Sequence, residues 1–476
     1  MITFSLLNFG CRASQAEGAA MKRQLLEAGF HEQSTVAQSD VAVINTCTVT
    51  ATADAEARQI IRRIHRENPG CRILVTGCYA QRAPREIARM EGVAWVVGNS
   101  HKHVIAERLA ADFGLGVSRS DCPPPPSPGD VCAQAEPSQR IQIQPAPAPG
   151  SPGLHPMGHS PSPACLLVEE PAPQFHFVPA YPDDRTRPTL KVQDGCNARC
   201  AFCIIPSVRG RSRSLAPATV VAQVNELVEA GYKEVVLSGI NLGSFGRDLD
   251  PRVTFLGLLE TILRETRLPR LRISSIEPMD VTRELIELIA SEPRIARHLH
   301  VPLQSGCDRT LRAMYRRYWA WQYAERIAAI REALPEAGIG ADVMVGFPGE
   351  TEADHQSSVS FIDSIPFTYL HIFPYSARPS TSASARSDHV KGEVARRRAE
   401  ELRSVMAVKR ASFLAGQVGR KVSALTLSNG LASGGVALST NYLKIQLSGP
   451  RFEPNHLLPI SIDRVEGNIL WGHVAE

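Results

Sequence analysis

The sequence has no run of about 18 consecutive apolar residues, the length that crosses a bilayer, so a membrane span is excluded. Its start, MITFSLLNFGCRAS, has no basic stretch ahead of the short apolar run. That speaks against a secretory leader and for a cytoplasmic chain. Neither charge is in large excess: 52 Lys and Arg stand against 48 Asp and Glu. A histone-like polycation is therefore excluded, and any nucleic-acid contact must come from local patches. The chain also lacks the bias of a disordered protein or a coiled coil, with 43% hydrophobic and 21% charged residues. What it has in quantity is cysteine, eleven in all. A disulfide framework does not suit a reducing compartment, so the thiols point to metal or redox chemistry.

The length of 476 residues suggests about two to four domains. Over 1–116, apolar runs (ITFSLL 2–7, VAVINT 41–46, RILVTG 72–77, VAWVVG 93–98) alternate with helical stretches near 15–28, 51–67 and 83–90. This alternation predicts βαβ units and a parallel sheet. Residues 117–182 hold 17 of the 35 prolines, amid Gly, Ser, Ala and Gln. Such a segment reads as a disordered or polyproline-like linker, and its Cys122, Cys132 and Cys165 as incidental. Over 183–412 the alternation resumes, with six candidate strands: 189–193, 234–239, 271–276, 298–303, 339–346 and 369–375. Six strands with helices between them predict a full or partial α/β barrel, and 391–412 reads as one further helix with a basic face. Residues 413–476 break into short β-rich runs between Gly, Ser, Asn and Pro, a small all-β barrel or sandwich.

The strongest local signal is DGCNARCAFC, which spaces Cys196, Cys200 and Cys203 as C-x3-C-x2-C on one short loop. A structural zinc site wants four ligands, and no second nearby pair supplies a fourth. A [4Fe–4S] cluster normally takes four cysteines, so three leave one iron open. The loop directly follows the first barrel strand, on the face where barrels place their active sites. A second signal is dispersed. Cys11, Cys47 and Cys78 each come just after one of the first three predicted strands. The carboxyl ends of parallel strands share one edge, so the three thiols should converge there as a second three-cysteine site. Cys71 and Cys307 lack such placement and read as structural.

The first constellation resembles the radical S-adenosylmethionine enzymes, and the two together resemble the methylthiotransferases among them. NTCTVT, TGCYAQ, DGCNARCAFCIIPSVRGRSRS, LQSGCDRTLRAMYRRY, DVMVGFPGETEAD and HIFPYSARPS look like that family's blocks in its order. NTCTVTATAD and GCYAQ resemble most closely the branch that acts on N6-threonylcarbamoyladenosine in tRNA. Residues 413–476 occupy the slot of the family's small RNA-binding barrel, TRAM, with five Lys/Arg against four acids. Two departures stand out: Arg12-Ala13-Ser14 follow Cys11 where Lys-Val-Asn is usual, and His355 replaces an aromatic residue.

The resemblance implies two [4Fe–4S] clusters, S-adenosylmethionine, a tRNA anticodon stem-loop as substrate, an electron donor such as a flavodoxin or ferredoxin, and a sulfur source. It implies that a 5′-deoxyadenosyl radical removes hydrogen from C2 of the adenine, where methylthio sulfur adds. The six cysteines are then ligands, and no general base is assigned. It places Phe202 near the adenine of the cofactor and Ser238 and Gly239 near its amino group, although an ordinary βα turn reads the same. Ser275 and Glu277 are candidates for the ribose or are a solvated strand end. Arg209, Arg211, Arg213, Arg309, Arg312, Arg316 and Arg317 are candidates for RNA phosphates or are a solvated basic surface. Alternative substrates are isopentenyladenosine in tRNA and a ribosomal-protein aspartate. The alternative of another class is an iron–sulfur electron carrier with an RNA-binding tail.

Overall fold

A computed structural model describes residues 1–115, 164–168, 186–428, 435–449 and 452–475. The linker expected over 117–182 falls outside them except at 164–168, as do Cys122 and Cys132.

The N-terminal part is one six-stranded sheet. Its strands are β1 (Thr3–Asn8), β2 (His31–Glu32), β3 (Val41–Thr46), β4 (Arg72–Gly77), β5 (Val93–Val97) and β6 (Cys165–Leu167). The order is β2-β1-β3-β4-β5-β6, and every neighbour pair is parallel. β3 is buried at all six positions, as expected of a central strand covered on both faces. Helix α1 (Arg12–Glu27) follows β1, and α2 (Ala51–Glu67) follows β3. The helix expected at 83–90 is α4 (Pro84–Ala88), with Pro84 in its first turn, and a further short helix that was not expected, α3 (Cys78–Arg82), precedes it. β6 lies inside the segment read as a linker. CLL is a three-residue apolar run that sits on the sheet edge, pairing Cys165 with Trp95.

The central part carries β7 (Thr189–Lys191), β8 (Gln193–Asp194), β9 (Arg213–Ser214), β10 (Glu234–Ser238), β11 (Arg270–Ile273), β12 (His298–His300), β13 (Gly338–Val345) and β14 (Tyr369–Pro374). Two parallel sheets, β11-β10-β7 and β12-β13-β14, are stitched by single bridges, Leu271 with Ile295 and Ser275 with His300. The six strands of these two sheets thus form an open barrel with β7 and β14 at its free edges. α1 packs against β7, so the N-terminal part leans on one free edge. The main core lies between these strands and their helices, built largely from Val, Ile and Leu.

The last helix, Gly392–Ala415, runs three residues past the expected boundary, and its Leu414 enters the core of the following barrel. That barrel is closed in the order β15-β16-β17-β19-β18, from β15 (Lys421–Leu427), β16 (Val436–Ser439), β17 (Lys444–Leu447), β18 (Leu457–Glu466) and β19 (Ile469–Val474). Among the described residues no helix is long and apolar enough to cross a membrane.

Candidate active site

The contiguous thiol loop is held at both ends. β8 pairs antiparallel with β9, matching Gln193 to Ser214 and Asp194 to Arg213. Gly195 has φ +70°, and a Cβ there would lie 1.9 Å from the Arg211 carbonyl oxygen, so only glycine lets the chain turn into Cys196. The Cys196 amide then donates to Gly210 at 3.0 Å, and the Ala201 amide to Met314 at 3.0 Å. Cys196, Cys200 and Cys203 are half-buried. Their sulfurs meet few side-chain donors: Cys196 Sγ has Asn241 Nδ2 at 3.9 Å beside the Ala198 amide at 3.4 Å, and Cys200 Sγ has Arg316 Nη1 at 3.3 Å. Burial pushes the Cys203 thiol up to about 12, and the neighbouring Cys200 and Cys196 push it further against the pull of a backbone amide and Arg316. Burial raises Cys196 as well. Three crowded thiolates are unfavourable together unless one cation binds them all.

The dispersed triad forms where the sheet order predicts. β1, β3 and β4 are neighbours, and Cys11, Cys47 and Cys78 follow their carboxyl ends. Gly77 makes this possible: at φ +98° it runs so close to β3 that a Cβ would lie 2.3 Å from the Thr46 carbonyl oxygen. Cys11 is exposed, Cys47 half-buried and Cys78 buried. Burial raises the Cys47 thiol to about 11, with Cys78 and Cys11 adding to the rise. The two triads therefore present the same donor chemistry.

They differ in what surrounds them. Cys78 Sγ accepts from Arg209 Nε at 3.3 Å and Asn99 Nδ2 at 3.7 Å. Arg209 is 1% exposed, which removes it from the RNA-facing arginines expected above; the short helix Ile205–Arg209 turns it inward. Its Nη1 lies 2.7 Å from Glu17 Oε1 and 2.9 Å from Asp194 Oδ2. Lys191 Nζ is 2.7 Å from both carboxylates, and Lys102 also bonds Glu17. Three buried cations face two buried carboxylates, and a Cys78 thiolate would be the third negative charge. Burial opposes the charge on Glu17, but Arg209, Lys102 and Lys191 together hold its carboxyl well below the usual range. The network joins α1 and the segment before α5 (Ile105–Asp112) to the barrel loop that carries the other triad.

Between the triads lies a cavity of about 500 Å³. Cys11, Cys196, Cys200 and Cys203 all line it. So do all five residues expected near the cofactor. Phe202 packs with Met314 and Met344 beside the loop. Ser238 is the buried last residue of β10, followed by Gly239. Ser275 Oγ lies 2.7 Å from His300 Nδ1, and Glu277 pairs with Arg316. Arg316 is thus drawn inward also, while Arg309 pairs with Asp354 at the surface. Arg211 and Arg317 line a second cavity, about 480 Å³, that shares Cys200 and Arg316 with the first.

Sequence reasoning missed the polar lining of the barrel lumen: His298, His300, Asp342, Tyr369 and His371. The signal was present as alternation in HLH and YLH, polar residues at every second position, and as the lone Asp342 in the apolar strand GIGADVMV. Tyr442 and the network partners Glu17 and Lys102 gave no local signal.

Residues 3–98 match the uncharacterized protein family UPF0004, and residues 190–362 the radical SAM superfamily. The threonylcarbamoyladenosine tRNA methylthiotransferase of Bacillus subtilis is 38% identical over 402 residues, 84% of this chain and 80% of that one. The tRNA-2-methylthio-N(6)-dimethylallyladenosine synthase of Syntrophobacter fumaroxidans is 33% identical over 84% of this chain and 79% of that one. Among solved structures, the radical S-adenosylmethionine methyltransferase TsrM of Kitasatospora setae overlaps with a TM-score of 0.54 at 15% identity, covering 80% of this chain and 77% of that one. That likeness is one of fold. Taken with the relatives' identity and coverage, these matches establish that the chain belongs to the tRNA methylthiotransferases, a family of radical S-adenosylmethionine enzymes.

Proposed function

We propose that this enzyme transfers a methylthio group to C2 of N6-threonylcarbamoyladenosine in tRNA, with one [4Fe–4S] cluster held by Cys196, Cys200 and Cys203 and a second by Cys11, Cys47 and Cys78. The observation that carries the reading is the cavity lined both by Cys11 of the sheet triad and by all three thiols of the barrel loop. Chemistry started at one triad can then reach a group held at the other without release. The donor sets fit: each offers three soft thiolates, destabilised by their neighbours until a cation binds. Bound there with S-adenosylmethionine, the clusters would supply the 5′-deoxyadenosyl radical and the place for sulfur.

The protein's own residues then position and exclude. Phe202 offers an aromatic surface to the cofactor adenine, while Ser238 and Gly239 offer the turn after β10 to its amino group. Ser275 and Glu277 face the ribose, each already oriented by His300 or Arg316. Arg211, Arg317 and the exposed Tyr315 at the second cavity suit the phosphates and an unstacked base of an anticodon loop. The closed C-terminal barrel adds an RNA-binding surface in the TRAM manner. A flavodoxin or ferredoxin as electron donor, a sulfur source and a cytoplasmic site of action belong to the same reading.

The test is nucleoside mass spectrometry of tRNA from a host stripped of its own methylthio enzymes and expressing this chain. Methylthio-threonylcarbamoyladenosine is the expected product. A gain on isopentenyladenosine instead would overturn the substrate, and no new nucleoside from a fully loaded enzyme would overturn tRNA as the target.

A further inference from the structure

Next to the cavity, around Tyr442, lies a group of arginines with fewer carboxylates than cations. Glu234, fully buried at the start of β10, is the shared partner of three arginines: Arg272 at 2.7 Å, Arg187 at 3.3 Å and Arg270 at 3.6 Å. Arg12 arrives at the same place from the first turn of α1. Its Nη2 donates to Tyr442 Oη at 2.9 Å. Its guanidinium lies 5.8 Å from the Tyr442 ring, where Arg272 stands at 5.3 Å and Arg187 at 6.0 Å. Tyr442 comes from the turn between β16 and β17, so one residue of the last barrel braces one residue of the first domain inside the central lumen. Among the described residues no carboxylate lies within ion-pair distance of Arg12. Three guanidiniums thus share Glu234, Arg12 joins two of them at the Tyr442 ring, and of the four Arg12 is the one that lines the cavity.

The lumen also holds polar groups that wait for a partner. His298 Nδ1 and Gln304 Oε1 make no hydrogen bond, although these residues are only 3% and 8% exposed and both line the cavity, whereas His300 Nε2 already faces Asp342 Oδ1 at 3.3 Å. Burial and the nearby Arg272 hold His298 well below its ordinary value, so it adds hydrogen-bonding capacity without charge. A buried donor or acceptor left unpaired is costly, and an unpaired guanidinium more so. Asp342 and Glu277, the carboxylates of the lining, already face His300 and Arg316, so the corner beside Cys11 is where Arg12 favours an oxygen-rich anionic group.

We infer that Arg12, braced by Tyr442, is a carboxylate subsite that receives the threonyl carboxylate of the substrate nucleoside while its C2 faces the thiol triads. This inference rests on the function proposed above. A carboxylate is the one charge that separates a threonylcarbamoyl group from a neutral N6 substituent. A neutral group would leave the guanidinium desolvated and unmatched, which discriminates by penalty as well as by attraction. A backbone phosphate offers similar chemistry, and the test separates the two.

Anticodon stem-loops carrying threonylcarbamoyladenosine, or its methyl ester, are given to wild type, Arg12→Gln, Arg12→Lys and Tyr442→Phe, each loaded to equal iron content. Both kcat/KM and the dissociation constant of each stem-loop are measured. Wild type should prefer acid over ester by about 10–100-fold, the ratio set by one charge-assisted pair. Arg12→Gln should bring that preference within about threefold of unity, Arg12→Lys should restore part of it, and Tyr442→Phe should cut it several-fold. An undiminished preference in Arg12→Gln overturns the subsite while leaving the proposed reaction intact. Equal losses on acid and ester assign Arg12 to a phosphate and also overturn it. A wild type that modifies neither stem-loop defeats the proposed reaction itself, and the subsite with it.

Discussion

The two thiol triads have the same donors and opposite construction. Cys196, Cys200 and Cys203 sit on one loop, and the chain needs only a turn at Gly195 and two short strands to gather them. Cys11, Cys47 and Cys78 come from three separate βα junctions, and a whole parallel sheet is needed to bring them together. The difference extends to charge. The loop triad has one cation at hand, Arg316, shared with the partly exposed Glu277. The sheet triad borders a buried network of three cations and two carboxylates. A local site can be held by local turns, whereas a dispersed site relies on tertiary structure and on charges that lock its two domains together.

The largest expected effect tests whether the triads divide the work. Cys200→Ala and Cys47→Ala should each abolish the methylthio product and remove about four iron atoms per chain. They should differ in cofactor turnover: Cys200→Ala should form no 5′-deoxyadenosine, while Cys47→Ala should still form it without product. Chromatography of the deoxyadenosine beside iron analysis reads both. Loss of cleavage in both variants would mean that the sheet triad is not separable from the radical step.

The same contrast decides what was legible in the sequence. The loop triad could be read from spacing alone, because its geometry lies within eight residues. The sheet triad was legible through strand position: once VAVINT and RILVTG are parallel neighbours, Cys47 and Cys78 must share an edge. Arg209 was misread as a surface residue because nothing local distinguishes a buried arginine from an exposed one. Its partner Glu17 lies 192 positions away in sequence, and Lys102, which shares Glu17 with it, 107. Tyr442 was invisible for the same reason. The residues of β6 were masked by the proline-rich composition around them, since three apolar residues are too few to outweigh it.

Next in size is the removal of the cation beside each triad. Arg209→Met leaves Glu17 and Asp194 buried with too few partners and should cost about 3–5 kcal/mol in unfolding. Arg316→Met leaves Glu277 able to reach water and should cost about 1–3 kcal/mol. Redox titration should add a signature that structural damage alone does not give. Arg209→Met should shift only the sheet-triad cluster to more negative potential, and Arg316→Met only the loop-triad cluster. Movement of both potentials in either variant would erase the comparison.

A smaller effect concerns acid. Glu17 has its carboxyl held well below the ordinary value near 4.5: burial opposes this, but Arg209, Lys102 and Lys191 outweigh it. A carboxyl with a depressed folded-state value contributes stability above the unfolded value and loses it as pH falls through the folded one. The thermal midpoint should therefore fall as pH drops below about 4.5, and Glu17→Gln should flatten that fall while lowering the midpoint at neutral pH. An unchanged slope would show that the network does not control the acid side of stability.

The smallest effect marks the border between thiols that take part and thiols that pack. Cys71 is 2% exposed in the core of the first sheet, and burial raises its thiol to about 11, much as it does Cys47. A raised thiol is therefore no sign of ligation by itself. What separates the two is company: Asp40 is the charged neighbour that adds to the rise at Cys71, whereas Cys78 and Cys11 add to it at Cys47. Cys307 is likewise buried, and its sulfur donates to Asp354 at 3.3 Å. Cys71→Ala should cost about 1–2 kcal/mol of stability through the lost sulfur volume, and Cys307→Ala a similar amount through volume and hydrogen bond. Neither should change iron content or the yield of methylthio nucleoside per folded chain. A loss of about four irons from either variant would redraw the boundary of the triads.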